Sequence, residues 1–85
     1  MPTVASFNGV TIIFRVKEHP PPHFHAFHGD DEAVIGIGPV ALLQGHLPAA
    51  RLRDVLAWAQ RHLTELEANW QRCQSLSPVQ RIAYP

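Results

Sequence analysis

The sequence has little of several features that usually reveal the class of a protein. It contains one cysteine, Cys73, which excludes an internal disulfide and a cysteine-rich zinc site. It has no apolar stretch of membrane-spanning length, and no basic segment followed by an apolar run opens it. From these absences we expect a cytoplasmic protein without a membrane segment.

Charge is also scarce and balanced. Seven Lys and Arg residues face seven Asp and Glu residues, so the formal net charge is zero. Nucleic-acid-binding proteins usually carry a basic excess, because phosphate contacts dominate their affinity. The total charge therefore argues against a nucleic-acid partner. A local patch around Arg51, Arg61 and Arg72 is the alternative, but acidic residues are interspersed there, as on a solvated helix face.

The chain does have enough apolar residues to fold. It is 85 residues long and 46% hydrophobic, which predicts one globular domain over residues 1–85. A core of this size is marginal, so additional burial against a second copy or a companion protein is expected to help.

The first half of the chain has the pattern of an antiparallel sheet. Asn8-Gly9 separates two β-type runs, residues 3–7 and 10–16, and Asn-Gly is a strong hairpin signal. Further strands are predicted over 23–28 and 31–37, with a weaker one at about 40–44. We expect an α+β fold with four to five strands within residues 3–44, packed against one long helix.

That helix is predicted over about residues 48–75, followed by a tail over 76–85. Its apolar stripe keeps a helical period throughout, which favours one helix over two. At 1.5 Å per residue it would be roughly 40 Å long, while a domain of this size has a radius of gyration near 12 Å. Its distal end needs a cover, either the folded-back tail or a partner. The candidate partner-interface residues are Trp58, Leu66 and Trp70.

Four of the six histidines fall within "EHPPPHFHAFHGDDE", residues 18–32. Three consecutive prolines cannot form a central strand and predict an extended connector. A two-residue turn at Gly29-Asp30 pairs the flanking strands so that the apolar residues share the core face. This register puts His23 and His25 side by side on the opposite, open face of the sheet, next to Glu32.

Two imidazoles and a carboxylate at this spacing are a candidate metal set. His23, His25 and Glu32 are the predicted ligands, His19 is a candidate fourth ligand, and a divalent ion such as zinc is the candidate cofactor. The alternative is structural: the histidines are hydrogen-bonded to backbone and to neighbouring acids on a solvated face.

Catalysis without a metal is a further alternative. A histidine of this strand has a suitable pKa for general acid–base chemistry, oriented by Glu32 or Asp31. Cys73 lies on the apolar helical stripe and is expected in the core. Removal of Met1 would expose Pro2 as a secondary amine, the catalytic base of small tautomerases, although a proline at a strand edge is the simpler interpretation. Without a complete catalytic set, the sequence favours a protein that is not an enzyme.

The chain resembles a family of small bacterial proteins, domain of unknown function 4160. The resemblance covers nearly the whole chain and is carried by "MPTVASFNGVTIIF", "HPPPHFHAFHG", "EAVIGI", "GHLP" and "LRDVLAWAQRHLTELEANW". Its most specific part is residues 21–26. The resemblance implies no established activity. It implies genes that often lie beside a companion domain, of unknown function 2442, in pairs similar to toxin–antitoxin modules.

Two functions are therefore predicted. The first is a protein-interaction module, one component of a toxin–antitoxin-like pair, with the companion protein or a second copy as partner. The second is a metal-dependent hydrolase or nuclease that uses His23, His25 and Glu32.

Overall fold

A computed structural model describes residues 3–85, so Pro2 lies outside the described residues. Residues 3–85 form an α+β fold with a five-stranded sheet and two helices. The elements, in chain order, are β1 (Thr3–Phe7), β2 (Val10–Ile13), β3 (His23–His28), β4 (Asp31–Ile37), β5 (Val40–Gly45), α1 (Ala49–Arg61) and α2 (Leu63–Gln74).

The sheet is an antiparallel meander with the strand order β1-β2-β3-β4-β5. The first hairpin turns at Asn8 and Gly9, whose φ angles are 51° and 76°. Both lie in the left-handed region that this turn requires, so the hairpin prediction is confirmed. β2 ends at Ile13, three residues earlier than expected, and the chain turns at Val16 and Lys17.

The helices cover one face of the sheet and form the core with it. The central contact is aromatic: Phe24 of β3 meets the Trp58 ring of α1 edge-to-face, at 5.9 Å between ring centroids. The largest fully buried side chains include Trp58, Phe14, Phe24, Ile12, Ile35, Ile37, Leu66, Val4, Val10 and Val55.

The prediction of one long helix is wrong, because α1 and α2 are separated at His62, with φ −123° and ψ 30°. The His62 N–H bonds back to the Ala59 carbonyl at 3.1 Å, which tightens the last turn of α1. The apolar stripe continues through the break without Gly or Pro, so periodicity could not reveal it. The break fits both helices onto a molecule whose longest dimension is 33 Å, shorter than the straight helix.

The C-terminal tail folds back onto the rest of the chain, which is one of the two alternatives that the sequence left open. The Ile82 N–H donates to the Val4 carbonyl at 2.8 Å, and the Trp58 indole N–H donates to the Ala83 carbonyl at 2.9 Å. Tyr84 stacks on Phe7 with ring centroids 4.4 Å apart. The tail thus lies along β1 and over the end of α1.

As a consequence, the three predicted partner-interface residues are inside the chain. Trp58, Leu66 and Trp70 are 1%, 0% and 5% exposed. They pack in the core and do not form a free surface. Within residues 3–85, neither helix has the length and apolar character needed to span a membrane.

Candidate metal centre

The pairing of β3 with β4 sets the direction of every side chain on β3. His28 lies opposite Asp31, Phe27 opposite Glu32, and Phe24 opposite Ile35. This is the register predicted from the Gly29-Asp30 turn. Phe24 and Ala26 are fully buried in the core, and strand alternation directs His23 and His25 to the other side of the sheet.

The expectation that this side is open at the histidines is wrong. His23 is 9% exposed and His25 only 4%. Residues 14–22, which connect β2 to β3, contact both rings. In addition, the indole of Trp70 in α2 lies 5.2 Å from the His23 ring. The two imidazoles are therefore held in a shielded position and not on a solvated sheet face.

The rings of His23 and His25 lie edge to face, with centroids 5.3 Å apart. His23 Nδ1 is 2.7 Å from the Pro21 carbonyl oxygen. A carbonyl oxygen only accepts, so Nδ1 carries the proton and donates it. The other nitrogen, Nε2, faces the carboxylate of Glu18 at 3.2 Å, and two acceptors would repel each other there, so a second proton or a metal ion is needed between these two atoms.

His25 also has a partner at each of its ring nitrogens. Its Nδ1 lies 3.2 Å from Glu32 Oε2, and its Nε2 lies 2.7 Å from Glu18 Oε1. Arg15 approaches the same Nδ1 at 3.4 Å and Glu32 Oε2 at 3.6 Å. Of the two Nδ1 contacts the shorter is with Glu32, which accepts a proton from Nδ1; the Nε2 contact with Glu18 then needs a second proton or a metal ion between the two atoms.

One carboxylate oxygen therefore faces the Nε2 atoms of both histidines. The ligating atoms of Glu18, His23 and His25 all lie within 4.8 Å of one another. Burial raises the pKa of Glu18, but hydrogen bonds and charge attraction from His25 and then His23 outweigh it, so the pKa lies below its usual value. The carboxyl group is ionised at neutral pH, as metal coordination requires.

The separations of the candidate ligating atoms, all within 4.8 Å of one another, can be compared with those of a metal site. Two ligands at about 2.0 to 2.1 Å from a tetrahedral zinc ion are about 3.3 Å apart. The Glu18–His23 separation of 3.2 Å meets this value, and the Glu18–His25 separation of 2.7 Å would have to open slightly. Histidine ligands commonly donate their other N–H to a carbonyl or a carboxylate, which fixes the ring. Pro21 and Glu32 provide these two acceptors.

The structure brings together two of the predicted ligands and adds one that the sequence interpretation missed. Glu18, not Glu32, faces both Nε2 atoms, while Glu32 contacts His25 at Nδ1, on the opposite side of the ring. His19 is exposed at the edge of the groove beside the site. The signal for Glu18 was its position directly before "HPPPHFH", where a stiff connector returns the chain to the start of β3.

The two acids predicted to orient a catalytic histidine, Asp31 and Glu32, lie beside different histidines. Asp31 pairs with His28 at the turn, whereas Glu32 contacts His25. Cys73 is 1% exposed and lies in the core as predicted. Burial and then the negative charge of Glu18 raise the pKa of the Cys73 thiol, which disfavours the thiolate that a nucleophile needs.

A groove opens beside the cluster on the outer face of the sheet. Its volume is about 560 Å³, within the usual range for ligand pockets. The lining combines the candidate ligands and Arg15 with apolar side chains from the proline connector, β4 and β5: Pro20, Pro21, Val34 and Leu43. A small molecule in this groove would lie against the Glu18–His23–His25 cluster.

A known family model matches most of this chain. The model of DUF4160, a domain of unknown function, matches residues 9–71. The chain belongs to this family. The DUF4160 match confirms the resemblance and covers the whole cluster with its two outer acceptors, whereas the tail lies beyond it. No significant match was found among curated proteins or among solved structures.

Proposed function

We propose that this DUF4160 protein binds a divalent metal ion through Glu18, His23 and His25 and uses it as a hydrolase. The observation that carries the proposal is the convergence of both Nε2 atoms on one carboxylate oxygen, while each Nδ1 has its own acceptor. Both Nε2 atoms meet the same anionic oxygen, so each contact needs a cation, either a proton or a metal ion, and one metal ion could replace both protons.

The ligand set supports a catalytic ion over a structural one. Structural zinc sites are closed by four protein ligands, whereas catalytic sites have three and leave a position for water. Two histidines and one carboxylate also suit other divalent ions, including ferrous iron. Held by Glu18, His23 and His25, such an ion would supply Lewis-acid chemistry, lowering the pKa of a bound water and polarising a substrate oxygen. The adjacent groove gives a substrate access to that position.

Metal analysis of protein purified without a histidine tag tests the proposal. After removal of metal by a chelator, zinc, manganese and ferrous iron are added separately, and bound metal is measured by mass spectrometry. We expect one ion per chain and a raised melting temperature. His23→Ala and His25→Ala should abolish both effects. His46→Ala is the matched control, because His46 is exposed and lies outside the cluster.

Absence of bound metal in the unmodified protein, with no change in melting on addition of any of the three ions, would reject the proposal. If a metal binds, hydrolysis is tested with phosphate and carboxylate esters under the same conditions. The ligand variants should lose that activity in proportion to bound metal.

A second function, protein interaction, is supported by a different observation. β5 is an edge strand, and its side chains Leu42 and Leu43 are 40% and 49% exposed, with no charged residue between Val40 and Gly45. Edge strands of this kind readily pair with another chain. We propose that a companion protein, as in a toxin–antitoxin-like pair, or a second copy adds a strand here.

Light scattering after size-exclusion chromatography tests the interaction, for the protein alone and with the product of a neighbouring DUF2442 gene. Leu43→Lys should weaken any complex, whereas Leu76→Lys, also at an exposed leucine, should not. A monomer at all concentrations that forms no complex would remove this second function and leave the metal site untouched.

A further inference from the structure

Glu18 differs from the other two candidate ligands in where it is placed. His23 and His25 stand on β3, in the middle of the sheet, whereas Glu18 lies in the connector between β2 and β3. Ligands on loops are positioned less accurately than ligands on strands, unless other contacts fix the loop. Other contacts must therefore hold the Glu18 carboxylate against both imidazoles.

Two hydrogen bonds attach this part of the connector to the last turn of α2. The side-chain amide of Gln74 donates to the Glu18 carbonyl oxygen at 2.8 Å, and the Lys17 N–H donates to the Cys73 carbonyl oxygen at 3.3 Å. The last carbonyl groups of a helix have no partner within the helix, so Cys73 offers a natural acceptor. Each segment thus provides a hydrogen-bond donor and an acceptor for the other.

The backbone next to Glu18 also needs this support. Lys17 has a φ of 54°, in the left-handed region that costs a residue with a side chain roughly 1 kcal/mol or more. Such a conformation persists where surrounding contacts determine it. Here the contacts come from Cys73, whose carbonyl accepts from the Lys17 N–H, and from Gln74, which donates to the carbonyl of the next residue, Glu18.

We infer that Gln74 is a positioning residue for the metal site, a role that rests on the proposed function. It acts through the backbone of Glu18 and touches no ligating atom. α2 reaches the other side of the site as well, because Trp70 packs on His23. One helix therefore fixes a ligand on the connector and shields a ligand on the strand. By linkage, a metal bound at the site stabilises the end of α2 in return.

The test compares Gln74→Met with the unmodified protein. Methionine has a similar length and helix propensity but no amide donor. Zinc affinity is measured by competition with a chromophoric chelator, and coordination by the visible absorption of the cobalt-loaded protein. We expect affinity to fall roughly 10- to 100-fold, as for other outer contacts of metal ligands. The cobalt spectrum should shift toward that of Glu18→Gln.

Gln71→Met is the matched control, because Gln71 is an exposed glutamine on the same helix. It should keep the affinity and the spectrum of the unmodified protein. Unchanged affinity and spectrum in Gln74→Met would overturn the positioning role and leave the metal site standing. Failure of the unmodified protein to bind metal would instead reject the proposed function and this inference with it.

A second measurement does not depend on the folding of a variant. Hydrogen exchange of the unmodified protein is recorded with and without zinc. We expect zinc to slow exchange in residues 71–76 as well as around Glu18, because the two segments open together. Protection confined to residues near the ligands, with none at the end of α2, would contradict the coupling.

Discussion

The carboxylate of Glu18 lies 2.7 Å from Nε2 of His25, and this contact organises the candidate site. The two residues are seven positions apart, with three prolines between them. The same carboxylate oxygen is 3.2 Å from His23, so one loop residue bridges two neighbours on a strand. The proposed metal site rests on this arrangement, in which Pro21 and Glu32 contact the other nitrogen of each ring.

Glu32 should matter for metal affinity without being a ligand. In Glu32→Gln the carboxylate that accepts the His25 Nδ1 proton is replaced by a neutral amide, so the ring is less basic and less firmly oriented. We expect roughly 10- to 100-fold weaker zinc binding, and a larger loss in Glu18→Gln. Chelator competition gives both values. Asp30→Asn, at the exposed turn, should bind zinc normally. A loss in Glu32→Gln as large as in Glu18→Gln would make Glu32 a direct ligand.

The tail should contribute substantially to stability. Ile82 is 5% exposed and packs in the core, so Ile82→Ala leaves a cavity and should cost about 2 to 5 kcal/mol. Urea unfolding of the metal-free protein measures the change. Leu76→Ala removes an exposed leucine at the start of the tail and should change stability by about 0.5 kcal/mol or less. Equal effects of the two substitutions would mean that the tail does not dock in solution.

Gly45 is the glycine at which a side chain should be most damaging. A Cβ there would lie 2.1 Å from the carbonyl oxygen of Glu32, and φ is 85°. Gly45→Ala should therefore force the backbone of β4 to move, at a cost of roughly 3 kcal/mol or more. Gly29→Ala is the matched control: its φ of 58° is similarly strained, but a Cβ meets nothing within 4 Å.

The expected cost of Gly29→Ala is only about 1 kcal/mol, from the left-handed backbone alone. Thermal or urea unfolding separates the two contributions. Because Gly45 lies against the backbone of Glu32, Gly45→Ala should also weaken metal binding, whereas Gly29→Ala should not. A similar loss of stability in both variants would contradict the close approach of β5 to Glu32.

Cys73 should make stability depend on alkaline pH. Burial and the charge of Glu18 raise the pKa of its thiol above the usual value of 9.0, so the folded protein favours the neutral thiol. This contribution is fully present below pH 9 and is lost above it, where the unfolded chain releases the proton and the folded chain retains it. The slope attributable to the thiol is at most about 1.4 kcal/mol per pH unit.

Urea unfolding of the metal-free protein between pH 8 and 10 measures this slope. Cys73→Ala should be less stable at pH 8 because it leaves a cavity, but its stability should fall less steeply with pH. Other groups titrate in the same range and are common to both proteins, so the difference in slope isolates the thiol. Identical slopes would place the thiol in contact with water.

The local sequence was sufficient to predict the strands and how they pair. Asn8-Gly9 and Gly29-Asp30 supply residues that accept positive φ, and these turns fix how the flanking strands pair. Strand alternation then separates His23 and His25 from Phe24, because a slip by one residue would bury imidazole in place of the aromatic ring. For these reasons the two histidines could be named as neighbours from the sequence.

The tertiary structure decided where Glu18 lies and where the helix breaks, because both depend on contacts between distant parts of the chain. Glu18 meets the histidines because its connector is fastened to Gln74, 56 residues away. The helix breaks at His62, whose ring packs on Trp58 and whose Nε2–H reaches the Pro85 carbonyl in the tail. Periodicity reports which face of a segment is buried. It carries no information about a bend or a loop closure whose free energy comes from another segment.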